Sequence, residues 1–283
     1  MGSKSLYQSI LKKSYRDIKF WLEEQKVDIN KPHDEEPAMH AAAKLGDPEF
    51  ARYIHECGGS LDVLNHAGCT PLFMSLVLKY RETAMFFIKA GCSINIAGPH
   101  DTTPFMVACW HRDLEVCRLL IAHGADVKKS HSSLGNALHF ASNSGHIEIV
   151  SLLLENGANI NEQAGENEST PLGKAIHGKS YEVARYLLDR GANVETVFKL
   201  GFRALHLAVA SKKPELIILL LNRGANINCQ DDLGNTPLHM AASDKNKEAY
   251  QILVKKNADQ TIRNLFGELP IYKYSPRRRL LRK

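Results

Sequence analysis

The sequence predicts an all-α solenoid of stacked helix-turn-helix units joined by β-turn or hairpin loops. Three observations predict it: a Thr-Pro-Leu-His phrase recurs at fixed intervals, a glycine closes each unit at the same intervals, and helical apolar spacing fills the stretch between. Aligned on its threonine, the phrase and its variants fall at 37, 70, 103, 136, 170, 203, 236 and 269, in steps of 33 with one step of 34. The glycine slot runs Gly58, Gly91, Gly124, Gly157, Gly191, Gly224 and then Asn257, and gains its extra residue in the same place. That insertion lies in "NEQAGENEST", a polar loop where one added residue costs little.

Taken in order, "SLYQSILKKSYRDIKFWLEEQKVDIN" has a two-helix rhythm and the closing "DIN" but lacks Thr-Pro and glycine. With Ser14, Lys19 and Glu23 on its outer side, residues 1–33 are predicted to form an N-terminal capping repeat, because one face of a terminal unit has no neighbour. Residues 34–264 hold seven repeats. Thr70, Thr103, Thr170 and Thr236 each precede a proline, which supplies a capping hydroxyl and then a preset φ at the first helical position. Ala42, Ala108, Ala141, Ala208 and Ala241 let the first helix of a unit pack closely. In "IEIVSLLLENGA", Ile147, Val150, Leu153 and Leu154 share one helical face, and Gly157 ends the helix in a left-handed conformation. The "ANIN" that follows extends into the loop before the next turn. Residues 265–283 begin a further repeat in "GELPIYKY", with Leu269 in the threonine slot and Tyr272 in the histidine slot, then leave the pattern in "SPRRRLLRK".

"TPLHMAA", "NALHFAS", "GHIEIVSLLLENGANIN" and "EVCRLLIAHGADV", at a period of 33, resemble the ankyrin-repeat family along nearly the whole chain, as a single array over 1–283. The resemblance implies that His40, His139, His206 and His239 hydrogen-bond in the adjacent turn. It also places the positions free for function at the turn tips and the ends of the first helices, both on a concave side.

Composition bounds the alternatives. The 44% hydrophobic and 24% charged content suits a folded chain, and no apolar run approaches the roughly 20 residues of a membrane helix. The net charge of +5 is concentrated in residues 273–283, which hold six Lys or Arg and no acid; the remaining 30 basic residues meet 31 acidic ones. A neutral body argues against nucleic-acid binding by the array. The six cysteines form no C-x-x-C pair, and small buried thiols are the expected reading. Cys109, His111 and Cys117 could be imagined around a metal, but core packing accounts better for both thiols. No catalytic motif, metal site or cofactor is predicted, nor a small-molecule substrate. A non-catalytic, monomeric interaction scaffold is expected in the cytoplasm, with the nucleus as the alternative location and another protein as its partner.

The end-of-helix slots that could meet that partner include Val77, Leu78, Trp110, His111, Asn143 and His177, and the turn tips add Leu200, Phe202 and Leu233. A tryptophan beside aliphatic residues is the composition of a binding hot spot, although the same side chains could fold back over a core short of apolar area. Asn95, Asn161 and Asn228 resemble ankyrin-loop asparagines open to side-chain hydroxylation. In the tail, Ser275 precedes a proline, and Arg277, Arg278, Arg279, Arg282 and Lys283 could form an anionic docking strip or nuclear-import signal tuned by phosphate there, or could simply cover the end of the stack. A substrate-receptor adaptor of a ubiquitin ligase, or a pathogen effector, would use the same array.

Overall fold

A computed structural model of the chain describes residues 2–31, 36–131 and 133–272, with backbone alone over 2–5. The strip Arg277, Arg278, Arg279, Arg282 and Lys283, and Ser275, lie outside the described residues. Among those described are sixteen short α-helices and one two-stranded antiparallel hairpin, Ser130–His131 with Gly135–Asn136. They form two compact units, one of the described residues up to 141 with 148–158, the other of residues 142–147 with 159–272.

Helix starts follow from side-chain chemistry. The hydroxyls of Thr70, Thr103 and Thr170 each accept from the backbone N–H three residues on, all at 3.2 Å, and proline follows each. Such a cap contributes about 1 kcal/mol. Second helices end at the glycine slot: Gly91 and Gly124 have φ of 86° and 88°, and Asn257 takes the same conformation at 65°. First helices end the same way at a slot the periodicity did not single out. Gly46 and Gly145 fill it in two repeats, but Lys79, Arg112, Lys179, Lys212 and Lys245 fill it in five, with φ between 53° and 62°. Around Arg112 the N–H of Arg112 donates to Cys109 O and that of Asp113 to Ala108 O, the paired bonds of a Schellman end. A left-handed cation costs up to about 1 kcal/mol relative to glycine. The negative end of the helix dipole returns about 0.3–1 kcal/mol of that.

In the first unit the helices Ala38–Leu45, Pro71–Val77 and Pro104–Trp110 pack in succession, as do Pro48–Glu56, Arg81–Lys89 and Leu114–Ala122. In the second, Pro171–His177, Ala204–Ser211 and Pro237–Ser243 form one such row and Tyr181–Asp189, Pro214–Asn222 and Lys247–Lys255 the other. Phe50, Phe87 and Phe105 are fully buried. The helix Ile147–Glu155 corrects the predicted face: Ile149, Val150, Leu152 and Leu153 are buried, while Ile147 and Leu154 are half-exposed. A second helix that packs on more than one side buries a wider stripe than single-face spacing suggests.

Histidines tie turns to helices as the resemblance implied. Nε2–H of His40, His206 and His239 donates to the carbonyls of Cys69, Asn235 and Glu268, at 2.8, 3.1 and 3.1 Å. His139 Nδ1 lies 2.7 Å from Asn136 Oδ1. His206 Nδ1 accepts from the N–H of Arg203, so a proton added there would set two donors against each other. Burial pushes the pKa of both His40 and His206 below the ordinary imidazole range, despite Glu36 near the first and Asp231 and Glu195 near the second. A depressed folded pKa means that the unfolded chain binds protons first on acidification. The stability these two histidines contribute should therefore be complete above about pH 7 and be lost as pH drops below ~6.5, by up to ~1.4 kcal/mol per pH unit for each histidine. Urea titrations at pH 7.5, 6.5 and 5.5 check this, and a His206→Asn chain should lose part of the slope.

Candidate functional site

A ladder of acceptors runs along the loops within each unit. Asn30 Nδ2 donates to Gly58 O while its Oδ1 accepts from Ser60 N, and Asn95 repeats the pair with Gly124 O and Asp126 N. Asp62 accepts from Ser93 N, Asn161 from Asn193 N, Glu195 from Asn226 N and Asn228 from Asp259 N. The slot needs a side-chain acceptor two or three bonds long, which explains why Asn, Asp and Glu interchange in it. Asn95, Asn161 and Asn228, the residues singled out for modification, are thus rungs of this ladder.

The first candidate surface grows from Trp110, the last residue of Pro104–Trp110. Its ring is 50% exposed and meets Phe140 edge-on, with centroids 5.9 Å apart and planes at 80°. Phe73, Val77, Met106, Trp110, Leu134 and Phe140 line a groove of about 300 Å³, and His111 completes its rim. Val77 is 43% exposed. Leu78 is exposed but does not line the groove. Burial holds the His111 pKa below its usual value, with Lys79 adding to the effect, so the rim carries a neutral ring near neutrality. Leu134 is set by the hairpin turn, whose N–H groups at Ser133 and Leu134 donate to His131 Nδ1 at 3.0 and 3.2 Å.

Cys109 and Cys117 lie beneath this surface. Both are fully buried with sulfurs 3.7 Å apart, and burial raises the Cys109 pKa well above the usual thiol range. Among the described residues no group of three or more His, Cys, Asp or Glu is placed to hold a metal ion.

A second cavity, of about 220 Å³, lies at the turn tips of the other unit, where Leu200 is 64% exposed and Phe202 half-buried. Phe198, Leu207, Lys174 and His177 share its lining. His177 Nδ1–H donates to Asn143 Oδ1 at 3.2 Å, which orients the imidazole and joins two of the predicted site residues. Leu233 does not line this cavity; it is half-exposed on the next tip, where its carbonyl accepts from Leu265 N at 2.9 Å.

Both cavities occur where the histidine slot has lost its histidine. That slot reads His40, Phe73, Met106, His139, Gly173, His206 and His239. Phe73 and Met106 line the first cavity, and Gly173 lines the second. A Cβ on Gly173 would stand 2.5 Å from Ser169 Oγ and 3.1 Å from the Phe198 ring, so that ring occupies space an imidazole takes elsewhere. The breaks at 73, 106 and 173 are the sequence signal for Phe73, Met106, Phe140 and Lys174, which neither an end-of-helix slot nor a turn tip marks.

The family model described as "Ankyrin repeats (3 copies)" matches this chain in overlapping stretches from residue 6 to 264. The mouse (Mus musculus) "B-cell lymphoma 3 protein homolog" is 31% identical over 152 residues, 52% of this chain and 34% of that protein. The human (Homo sapiens) B-cell lymphoma 3 protein is 29% identical over 183 residues, 62% of this chain and 40% of that one, so the chain spans well under half of either relative. Among solved structures, the human ASB11 ankyrin repeat domain superposes with a TM-score of 0.71 at 24% identity, over 79% of this chain and 99% of that domain, a likeness of fold alone.

Proposed function

Because the chain belongs to the ankyrin-repeat family, we propose that it is a non-catalytic interaction module that holds a partner protein in the apolar groove beside Trp110. The observation that carries this is the half-exposed indole at the edge of a groove lined almost wholly by apolar side chains. A tryptophan so placed can bury its exposed face and donate its N–H at once, the behaviour of a hot-spot anchor. Pro71–Val77 and Pro104–Trp110, which carry most of the groove, are closed at both ends by threonine caps and Schellman turns, so little order must be created on docking. Leu200, Phe202 and Leu233 supply further apolar contact at the tips of the other unit. In this reading the module acts as a monomer, in the cytoplasm or the nucleus. None of the described helices is long and apolar enough to cross a membrane.

The test is affinity capture with the full chain and with Val77→Glu, which places a carboxylate in the groove without removing the ring. A specific partner should be retained by the first and lost from the second, with unchanged circular dichroism. Equal recovery from both chains would remove the groove from the binding surface.

A further inference from the structure

The residue that follows the histidine slot is the fourth of each first helix. Along the repeats it reads Ala41, Met74, Val107, Phe140, Lys174, Leu207 and Met240. Six are apolar and one is a lysine. Val107 and Phe140 line the groove beside Trp110, and Leu207 lines the second cavity, so this slot ordinarily supplies apolar wall. In one repeat it supplies an ammonium, next to Gly173, where the histidine is also gone.

Lys174 is half-buried and lines the cavity with Phe198, Leu200, Phe202 and Leu207. Its ammonium has no hydrogen-bond or ion-pair partner among the described residues, although Lys13, Lys19, Lys44 and Lys213 all find carboxylates. Burial lowers its pKa, the mark of a charge held against apolar wall without a counter-charge. Lys199 and His177 also face the cavity, and no Asp or Glu lines it. A lone cation in an apolar lining costs solvation that a bound anion would return.

We propose that the Lys174 cavity receives the carboxylate of an Asp or Glu side chain in an extended segment of a partner protein, with a neighbouring bulky aliphatic side chain seated against Phe198, Leu200 and Phe202. The occupant must satisfy two surfaces at once: an anion for Lys174, with Lys199 beside it, and apolar bulk for the rings. At about 220 Å³ the cavity is smaller than the roughly 300–1,000 Å³ typical of small-ligand pockets and matches one or two side chains. This rests on the reading of the Leu200 and Phe202 tips as partner-binding and adds what they select. The Trp110 groove, with no ammonium in its lining, would not share the preference.

The experiment uses the full chain and a set of ten-residue peptides, each carrying one Asp or Glu beside Leu, Ile or Met in a Gly-Ser background, with Asn and Gln twins. Fluorescence anisotropy should show acidic peptides binding roughly tenfold or more tightly than their amide twins, since charge-assisted pairing is lost in the twins. Lys174→Met should abolish that preference while retaining weak binding of both, and Trp110→Ala should leave it intact. In the complex, the Lys174 amine should titrate at higher pH than in the free chain, because the carboxylate favours its charged form. Equal affinity for acid and amide peptides would overturn the charge assignment but leave the tips as a binding surface. No binding of either set at millimolar peptide would overturn both. Equally tight binding of free hexanoate would reassign the cavity to small carboxylates, and self-association lost in Lys174→Met would reassign it to a second copy of the chain.

Discussion

Gly201→Ala is expected to destabilise the unit of residues 142–147 and 159–272 by ~2–4 kcal/mol, several times the cost of Gly124→Ala. Both glycines have positive φ, +74° at Gly201 and +88° at Gly124, so both substitutions carry the same backbone penalty of about 1 kcal/mol. They differ in what the new methyl group meets. Nothing lies within 4 Å of a Cβ at Gly124, whereas at Gly201 it would stand 2.4 Å from Asp232 Oδ1 and 2.5 Å from Asp232 N. The carboxylate can swing away but the amide cannot, because its N–H donates to Leu200 O at 3.1 Å. Relieving the overlap therefore moves two successive turn tips apart. Denaturant titration of the two variants beside the parent chain measures the difference, and equal midpoints would show that the turns yield without cost. The same displacement should loosen Leu200 and Phe202, which flank Gly201.

Trp110→Ala should weaken partner binding roughly 30-fold or more, as truncation of a central aromatic anchor commonly does. The fold should tolerate it. Half of the indole is exposed, and its main internal contact is one edge-to-face pair with Phe140, worth about 0.5–1.5 kcal/mol. The helix itself keeps its Thr103 cap and its Schellman end at Arg112 and Asp113. Calorimetric titration with the captured partner, alongside a thermal melt, separates the two effects. Loss of helicity over 104–122 would show that the ring is a structural member of the core and that the groove is a by-product of packing.

The fold was legible in the sequence because each repeat states its own boundaries in local chemistry. Threonine before proline marks a helix start, and glycine at a fixed distance marks a helix end, so the rulers needed no knowledge of packing. The candidate site was legible only in part. Trp110, Val77 and Leu200 stand out because a large apolar side chain at an exposed slot violates the pattern. Phe140, Met106 and Phe198 do not, since an apolar residue in an apolar slot looks like core until the neighbouring histidine is seen to be absent. Nor could sequence tell that Leu78 stays outside the groove while Val77 enters it; that depends on where each side chain projects from the end of its helix. Lys174 was the opposite case, visible as an anomaly within its column but meaningful only beside a cavity.

The left-handed cations that close the first helices write a cleavage ruler into the chain. Lys79, Arg112, Lys179, Lys212 and Lys245 are all exposed at turns, with neighbours in each run spaced 33 residues apart, and each offers trypsin a susceptible bond. While the adjoining helices hold their caps, the turn is too tightly hydrogen-bonded to enter a protease cleft; once a helix pair opens, its own bond is cut. The rate at each site then reports the opening free energy of that repeat when reclosing is faster than cleavage. A timed digest of the native chain, followed at these bonds among its 36 Lys and Arg by fragment mass, would thus rank the repeats by local stability.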